Sequence, residues 1–423
     1  MTRRDSLRIG VAGGVGLTLS NYLQLSAADP EGKSQSKADA VLFINLAGGP
    51  SHLDTLDVKP EAPAETQGPF KSIQTKIPGL AACEHLSKFA AVADQFTLLR
   101  GIAHSAGAHD QAQSWLSTGN RPTPALIYPS LGSIVAKERP GSPEIPPYVA
   151  IPKTEWNAGY MGDAFAPFKT NEVPRPGKPF QVRGISLAEG LTLEKVNRRQ
   201  KLLESVDRTF RDVETNSQLL DALDTFGNQA YRMITSAKAQ SAFDVRKEPE
   251  SLQKLFSADE LNQSLLLSCR LIEFGVPFVT VTNQGWDTHL DNFTGHKRLL
   301  QPLDNALPAT LQMLKAKGLL ERTLIVVMGE FGRTPKINGN TGRDHYPRAN
   351  WCLLAGGGVR PGQLIGATDK NGESPTPETD ISPDDISATI LHALGIDPMT
   401  EYQTNTGRPA WLVPEGEVMT GLF

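Results

Sequence analysis

Cysteine is scarce in this chain, and the shortage removes two functional classes at once. Three residues among 423, Cys83, Cys269 and Cys352, are too few and too scattered for a disulfide framework, and no C-x-x-C occurs. The same count excludes a thiolate metal centre. Charge of one sign is lacking too: the formal net charge is −4, and no basic run carries interleaved aromatics. A mildly acidic surface of that kind leaves nucleic acid out of the expected partners. Uninterrupted apolar runs are short of the ~20 residues a membrane helix needs. Several chemical signatures are absent as well, namely G-x-x-x-x-G-K-[ST], H-E-x-x-H and G-x-S-x-G. The glycines at 48–49 and 356–358 then read as tight turns rather than phosphate cradles.

What remains is an ordinary globular composition, 39% hydrophobic and 21% charged, on a chain long enough for two or three domains or one large α/β domain. The first 28 residues look like an export leader. Arg3 and Arg4 form a twin-arginine head, a weakly apolar, Gly-rich stretch follows, and Ser26-Ala27-Ala28 suits cleavage. That route carries folded proteins, so the twin-arginine export machinery is an expected partner and the expected location is periplasmic or secreted. No stable membrane span is expected after cleavage; an uncleaved anchor is the alternative.

Downstream of a linker at 29–39, strand-like runs alternate with helical periods. Residues 324–328 (LIVVM) are continuously apolar and β-branched at three of five positions, the pattern of a strand buried on both faces. Similar runs lie at 40–46, 97–102, 148–151, 278–282 and 351–355. Helices are expected at 84–95, 193–213, 218–243, 257–274, 296–314 and 384–394, the last opened by Ser382-Pro383. Leu202, Val206, Phe210 and Val213 make a packing stripe in the second of these. This alternation predicts an α/β fold with a mostly parallel sheet sandwiched between helices. The main domain spans 40–400, with a loop-rich and helical insertion at about 140–257 and a C-terminal tail at 401–423.

Four of the strands empty into polar clusters: His52/Asp54, His104/His109, Asp287/His289, and Glu330 with Asp344/His345. In open α/β sheets, ligand sites gather outside the carboxyl ends of the strands, so one sheet would bring all four loops to one rim. Oxygen and imidazole donors suit zinc, manganese and similar divalent ions. Each cluster has a plainer reading as a capping turn or a hydrogen-bonded loop histidine. A Ser-His-Asp triad could be drawn from Ser51 or Ser105, but nothing in the spacing selects it.

The motifs GGPSHLDTLDVKP, GWDTH, GEFGRTPKIN with GRDHYP, AGGGV with GATD, and DISATILHALGIDP resemble an exported, sulfatase-like family of unknown function within the alkaline phosphatase superfamily. The resemblance runs from about Val41 to Pro398. It implies a three-layer α/β/α sandwich, alkaline phosphatase-like, with a metal site at the carboxyl rim. By position it implies Asp54, Asp287, His289, Glu330, Asp344 and His345 as metal ligands, for zinc or another of manganese, calcium and magnesium. Glu330-Phe331 stands where the superfamily has Asp-His. The formylglycine segment of sulfatases has no counterpart here. Ser105 is the leading nucleophile candidate, Ser51 the second, and Arg333 or Arg343 the group expected to grip the anionic ester.

The expected activity is therefore metal-dependent hydrolysis of phosphate or sulfate esters, on a small-molecule or polysaccharide substrate. Two ions ~3.5–4 Å apart could clamp the ester oxygens. A catalytically silent member of the same fold that binds a glycan or a protein is the alternative.

Overall fold

The computed structural model describes residues 36–180, 231–404 and 406–423, with Val182, Glu194 and Arg198. The leader at 1–28, the helix expected at 193–213 apart from Glu194 and Arg198, and the first half of the one expected at 218–243 lie outside the described residues. The described residues from Lys37 onward form one compact unit. Among the described residues no helix is long and apolar enough to cross a membrane.

Eight strands of the described residues make the central sheet: β1 (Ala40–Ala47), β2 (Thr97–Ile102), β3 (Tyr148–Ile151), β4 (Phe168–Lys169), β5 (Phe278–Gln284), β6 (Thr323–Met328), β7 (Asn350–Ala355) and β8 (Leu364–Ile365). Their order across the sheet is β8-β2-β7-β6-β1-β5-β3-β4. All neighbours pair parallel except β7, which runs antiparallel to both β2 and β6. The apolar run read as a two-sided strand is β6, and every one of its residues is buried.

Alternate side chains of these strands feed two cores, as the two-residue period of a strand requires. Leu42, Ile44, Ile325 and Val327 pack with Leu265 of helix α3 (Glu260–Glu273) and Leu303 of helix α4 (Asn292–Ala316). On the other face, Val41, Phe43, Leu324 and Val326 pack with Leu116, Ile134 and Ile390. These belong to helices α1 (His109–Thr118), α2 (Leu131–Glu138) and α5 (Pro383–Ala393). The result is the expected three-layer α/β/α sandwich. Helix α5 begins as its sequence indicated. Ser382 caps the Asp385 N–H, the Asp385 side chain returns the bond, and Pro383 occupies the first turn. The tail is not loose: Leu412, Val413 and Leu422 lie in the second core.

Two features bring distant loops to one rim. After β1 the chain turns at Gly48 (φ 112°), where a Cβ would overlap the Asp287 backbone nitrogen, so only glycine allows the β1 and β5 loops to touch. The reversal of β7 is the second. Because it runs against β6, its first residue, Asn350, sits at the rim opposite Ile102, the last residue of β2. The connection from β6 to β7 therefore never leaves that edge.

Candidate functional site

Asp287, three residues past β5, is the point on which the rim converges. Its Oδ1 accepts from Arg333 Nη2 at 2.6 Å, and His289 Nε2 and His345 Nε2 lie 3.1 and 3.2 Å from the same oxygen. Its Oδ2 faces His109 Nε2 at 3.3 Å. Partial burial opposes the charge, but Arg333, with His345 and His109, outweighs it and brings the Asp287 carboxyl down to about 2.

Each of the three imidazoles is oriented through its other nitrogen. His109 Nδ1 donates to Glu330 Oε1 at 2.7 Å, His289 Nδ1 to Asp344 Oδ1 at 2.7 Å, and His345 Nδ1 to the Gly107 carbonyl at 2.8 Å. Carboxylates and carbonyls only accept, so each ring carries a proton on Nδ1, and the three Nε2 atoms turn inward toward the Asp287 carboxylate. His289 Nε2 and His345 Nε2 are 2.9 Å apart. His109 Nε2 is enclosed and makes no hydrogen bond. Two lone pairs that close repel unless a proton or a cation lies between them. The Glu330 hydrogen bond raises the His109 pKa, against the opposing effect of burial, while burial lowers that of His345.

This donor set fits a divalent cation. Donor atoms of His109, Asp287 and His345 all lie within 4.8 Å of one another, and His289 flanks the group through Asp287 and His345. Imidazole rings fixed by a carboxylate or carbonyl behind them are the usual outer arrangement of metal-bound histidines. Asp287, His289, His345 and His109 would hold the ion. Among the described residues this is one group of donors, so the rim fits one cation rather than the pair expected.

The other expected ligands are placed differently. Asp54 is fully buried and accepts from Arg343 Nε at 2.7 Å and Asn292 Nδ2 at 2.9 Å; it is half of an interior ion pair. Glu330 is in the cluster but behind it. Its oxygens already accept from the Gly48 N–H, His109 Nδ1 and Gln113 Nε2, so they orient His109 and have no lone pair turned to an ion. Asp344 orients His289 in the same way, and the bond from His289 lowers its pKa.

Neither arginine lies open to a ligand. Arg333 is fully enclosed, donating to the carbonyls of Gly48, Gly49 and Arg343 as well as to Asp287. Arg343 spends its donors on Asp54 and the carbonyls of Thr66, Thr334 and Pro335. Ser105 is exposed on the loop before α1 and makes no side-chain hydrogen bond to the cluster. Ser51 is buried beside Asp54, its Oγ accepting the Asp54 N–H at 3.3 Å.

His109 is the donor that the expected ligand set omitted. The available signal was its position as the first residue of a helix entered from a strand, with Gln113 four residues on and therefore on the same helix face. Gln113 gives its Nε2–H to Glu330 at 2.8 Å while its Oε1 accepts from Asn45 and Trp156, each at 3.1 Å. Beside His109 and Asp287 opens a cavity of about 620 Å³, bordered by Gln113, Tyr128, Lys153 and Trp156.

A family model described as "Protein of unknown function (DUF1501)" matches residues 38–423. Among solved structures, a sulfatase from Pseudoalteromonas sp. is 15% identical, with a TM-score of 0.41 over 89% of this chain and 70% of that one. The lipoteichoic acid synthase LtaP from Listeria monocytogenes is 10% identical, with a TM-score of 0.37 over 94% and 79%. A variant of TAB5 alkaline phosphatase, described with magnesium bound, is 12% identical, with a TM-score of 0.38 over 86% and 99%.

Proposed function

The chain belongs to the DUF1501 family, and from its rim geometry we propose that it is a metal-dependent hydrolase of phosphate or sulfate esters working outside the cytoplasm. One observation carries the reading: His109, His289 and His345, each held at Nδ1 by an acceptor, turn their Nε2 atoms toward the Asp287 carboxylate, those of His289 and His345 lying 2.9 Å apart. A divalent ion bound there, zinc or one of manganese, calcium and magnesium, supplies Lewis acidity toward an ester oxygen and lowers the pKa of water.

The chain's own residues do the remainder. Arg333 keeps Asp287 ionised and fixes the carboxylate's direction from below. Glu330, Asp344 and the Gly107 carbonyl hold the imidazole protons on Nδ1, which keeps the Nε2 atoms free to coordinate. The cavity beside His109 has room for the alcohol portion of an ester, and Lys153 on its wall offers one positive charge. A small-molecule or polysaccharide ester fits this reading.

The second reading, a metal-containing binder of glycan or protein without turnover, is favoured by the enclosed Arg333 and Arg343 and by Ser105 standing off the cluster. Elemental analysis of the purified protein with a panel of chromogenic phosphate and sulfate esters separates the two. One equivalent of divalent metal with turnover that disappears in Asp287→Ala is the expected result. Stoichiometric metal with no turnover on any ester selects the binder, and absence of metal binding refutes both.

A further inference from the structure

The segment between Arg333 and His345 does more than connect. Residues 338–343 are sewn onto residues 288–292, the loop that carries His289. The Asp291 N–H donates to the Asn340 carbonyl at 3.1 Å, the Asn292 N–H to the Thr341 carbonyl at 3.0 Å, and the Arg343 N–H to the Thr288 carbonyl at 3.1 Å. Gly342 lies so close beneath that a Cβ there would overlap the His289 carbonyl oxygen. Two loops separated by some fifty residues of chain thus behave as one piece.

Asn338 stands at the centre of that piece. Its Oδ1 accepts the N–H groups of Asn340 and Gly342, both at 2.9 Å, which shapes its own loop. Its Nδ2 faces the other way. It donates to the His289 carbonyl at 3.1 Å and to Asp344 Oδ1 at 3.2 Å, the same oxygen that accepts from His289 Nδ1. One amide therefore grips both the backbone of the histidine and the carboxylate that orients its ring.

We infer that Asn338 is a positioning residue for the cation site, holding Asp344 where it fixes the His289 ring before any ion arrives. The inference rests on the metal-centre reading. The two halves of the amide do separable work: the oxygen builds the loop, and the nitrogen sets the His289–Asp344 pair. Pre-set ligands bind more tightly because the ion need not order them, and partners outside the ligands typically account for about 10–100-fold in metal affinity.

Asn338→Asp separates the two halves. The new carboxylate keeps an oxygen for the Asn340 and Gly342 N–H groups, but it cannot donate and it repels Asp344. Affinity of the full chain for Co²⁺ and Zn²⁺ is measured by competition with a chromophoric chelator, with the visible spectrum of the Co²⁺ form as a second readout. We expect Asn338→Asp to weaken binding about tenfold and to shift the Co²⁺ bands, with unchanged far-ultraviolet circular dichroism. Asp344→Asn should weaken it at least as much. Because the amide works partly through Asp344 and partly through the His289 carbonyl, Asn338→Asp should cost less in the double variant than it does alone. Wild-type affinity in Asn338→Asp, or additive losses in the double variant, overturns the role of Asn338. Failure of the wild-type chain to bind either ion overturns the metal-centre reading instead.

Discussion

Replacing Glu330 by glutamine tests whether this carboxylate orients the site or ligates the ion. Every group that meets its two oxygens is a donor: the Gly48 N–H at 2.9 and 3.1 Å, His109 Nδ1 at 2.7 Å and Gln113 Nε2 at 2.8 Å. Glutamine brings one oxygen and one NH₂, so its NH₂ must confront a donor in either orientation. Facing Gln113, it forces that amide to flip, which strips the acceptor from Asn45 and Trp156. Facing His109, it drives the ring proton to Nε2, where the cation belongs. Losing one charge-assisted bond costs about 1.5–3 kcal/mol, and a buried donor left unpaired about 1–3 more, so global stability should fall by about 2.5–6 kcal/mol. Cation affinity should fall about 10–100-fold, or about 1.4–2.7 kcal/mol. Urea denaturation of the metal-free protein reads the first quantity and chelator competition the second. Stability within about 0.5 kcal/mol of wild type, the range of an inconsequential surface change, would refute the donor-crowding argument. Complete loss of the ion in Glu330→Gln, with Asp344→Asn still binding, would make Glu330 a ligand.

Two further outcomes follow from the interior beneath the rim. His296 is buried, with Nδ1 donating to the Asn292 carbonyl at 3.0 Å and Nε2 accepting the Ser51 N–H at 2.9 Å; burial takes its pKa from 6.5 to about 4. The unfolded chain binds this proton first, so stability is lost as pH falls below the unfolded value. The loss should be about 2 kcal/mol between about pH 7 and pH 5. Urea midpoints of wild type and His296→Gln across that range should converge toward the acid end, and parallel curves would refute the assignment. Asp54→Asn leaves Arg343 buried without its counter-ion, which should cost about 3–5 kcal/mol. Calorimetric titration should still find one cation per chain, whereas loss of the ion at unchanged stability would restore Asp54 to the ligands.

The fold was legible wherever burial dictates sequence. The run at 324–328 is apolar throughout because β6 is covered on both faces, and Ser382-Pro383 marks a helix start because its first turn needs that cap. The direction of β7 was not legible, since a strand buried on both sides is apolar whichever way it runs. At the site, the histidine and aspartate clusters after the strands do meet at one edge of the sheet. Their division of labour did not show. Asp54 and Asp287 both follow strands within seven residues and both meet an arginine, yet Asp54 is enclosed with Arg343 while Asp287, on Arg333, also faces imidazoles and solvent. That difference depends on Arg343, 289 positions along the chain from Asp54, and no local pattern encodes it.

The Arg343 guanidinium reaches Asp54, Thr66, Thr334 and Pro335 from the residue just before Asp344. Such an anchor has no cheap intermediate state, because freeing the segment around Asp344 would leave a charge unpaired in the interior. Amide protons of Asp344 and His345 should accordingly exchange through whole-molecule opening rather than by peeling of an edge, although their side chains touch water. The most exposed part of the cluster is then also among the last to fray.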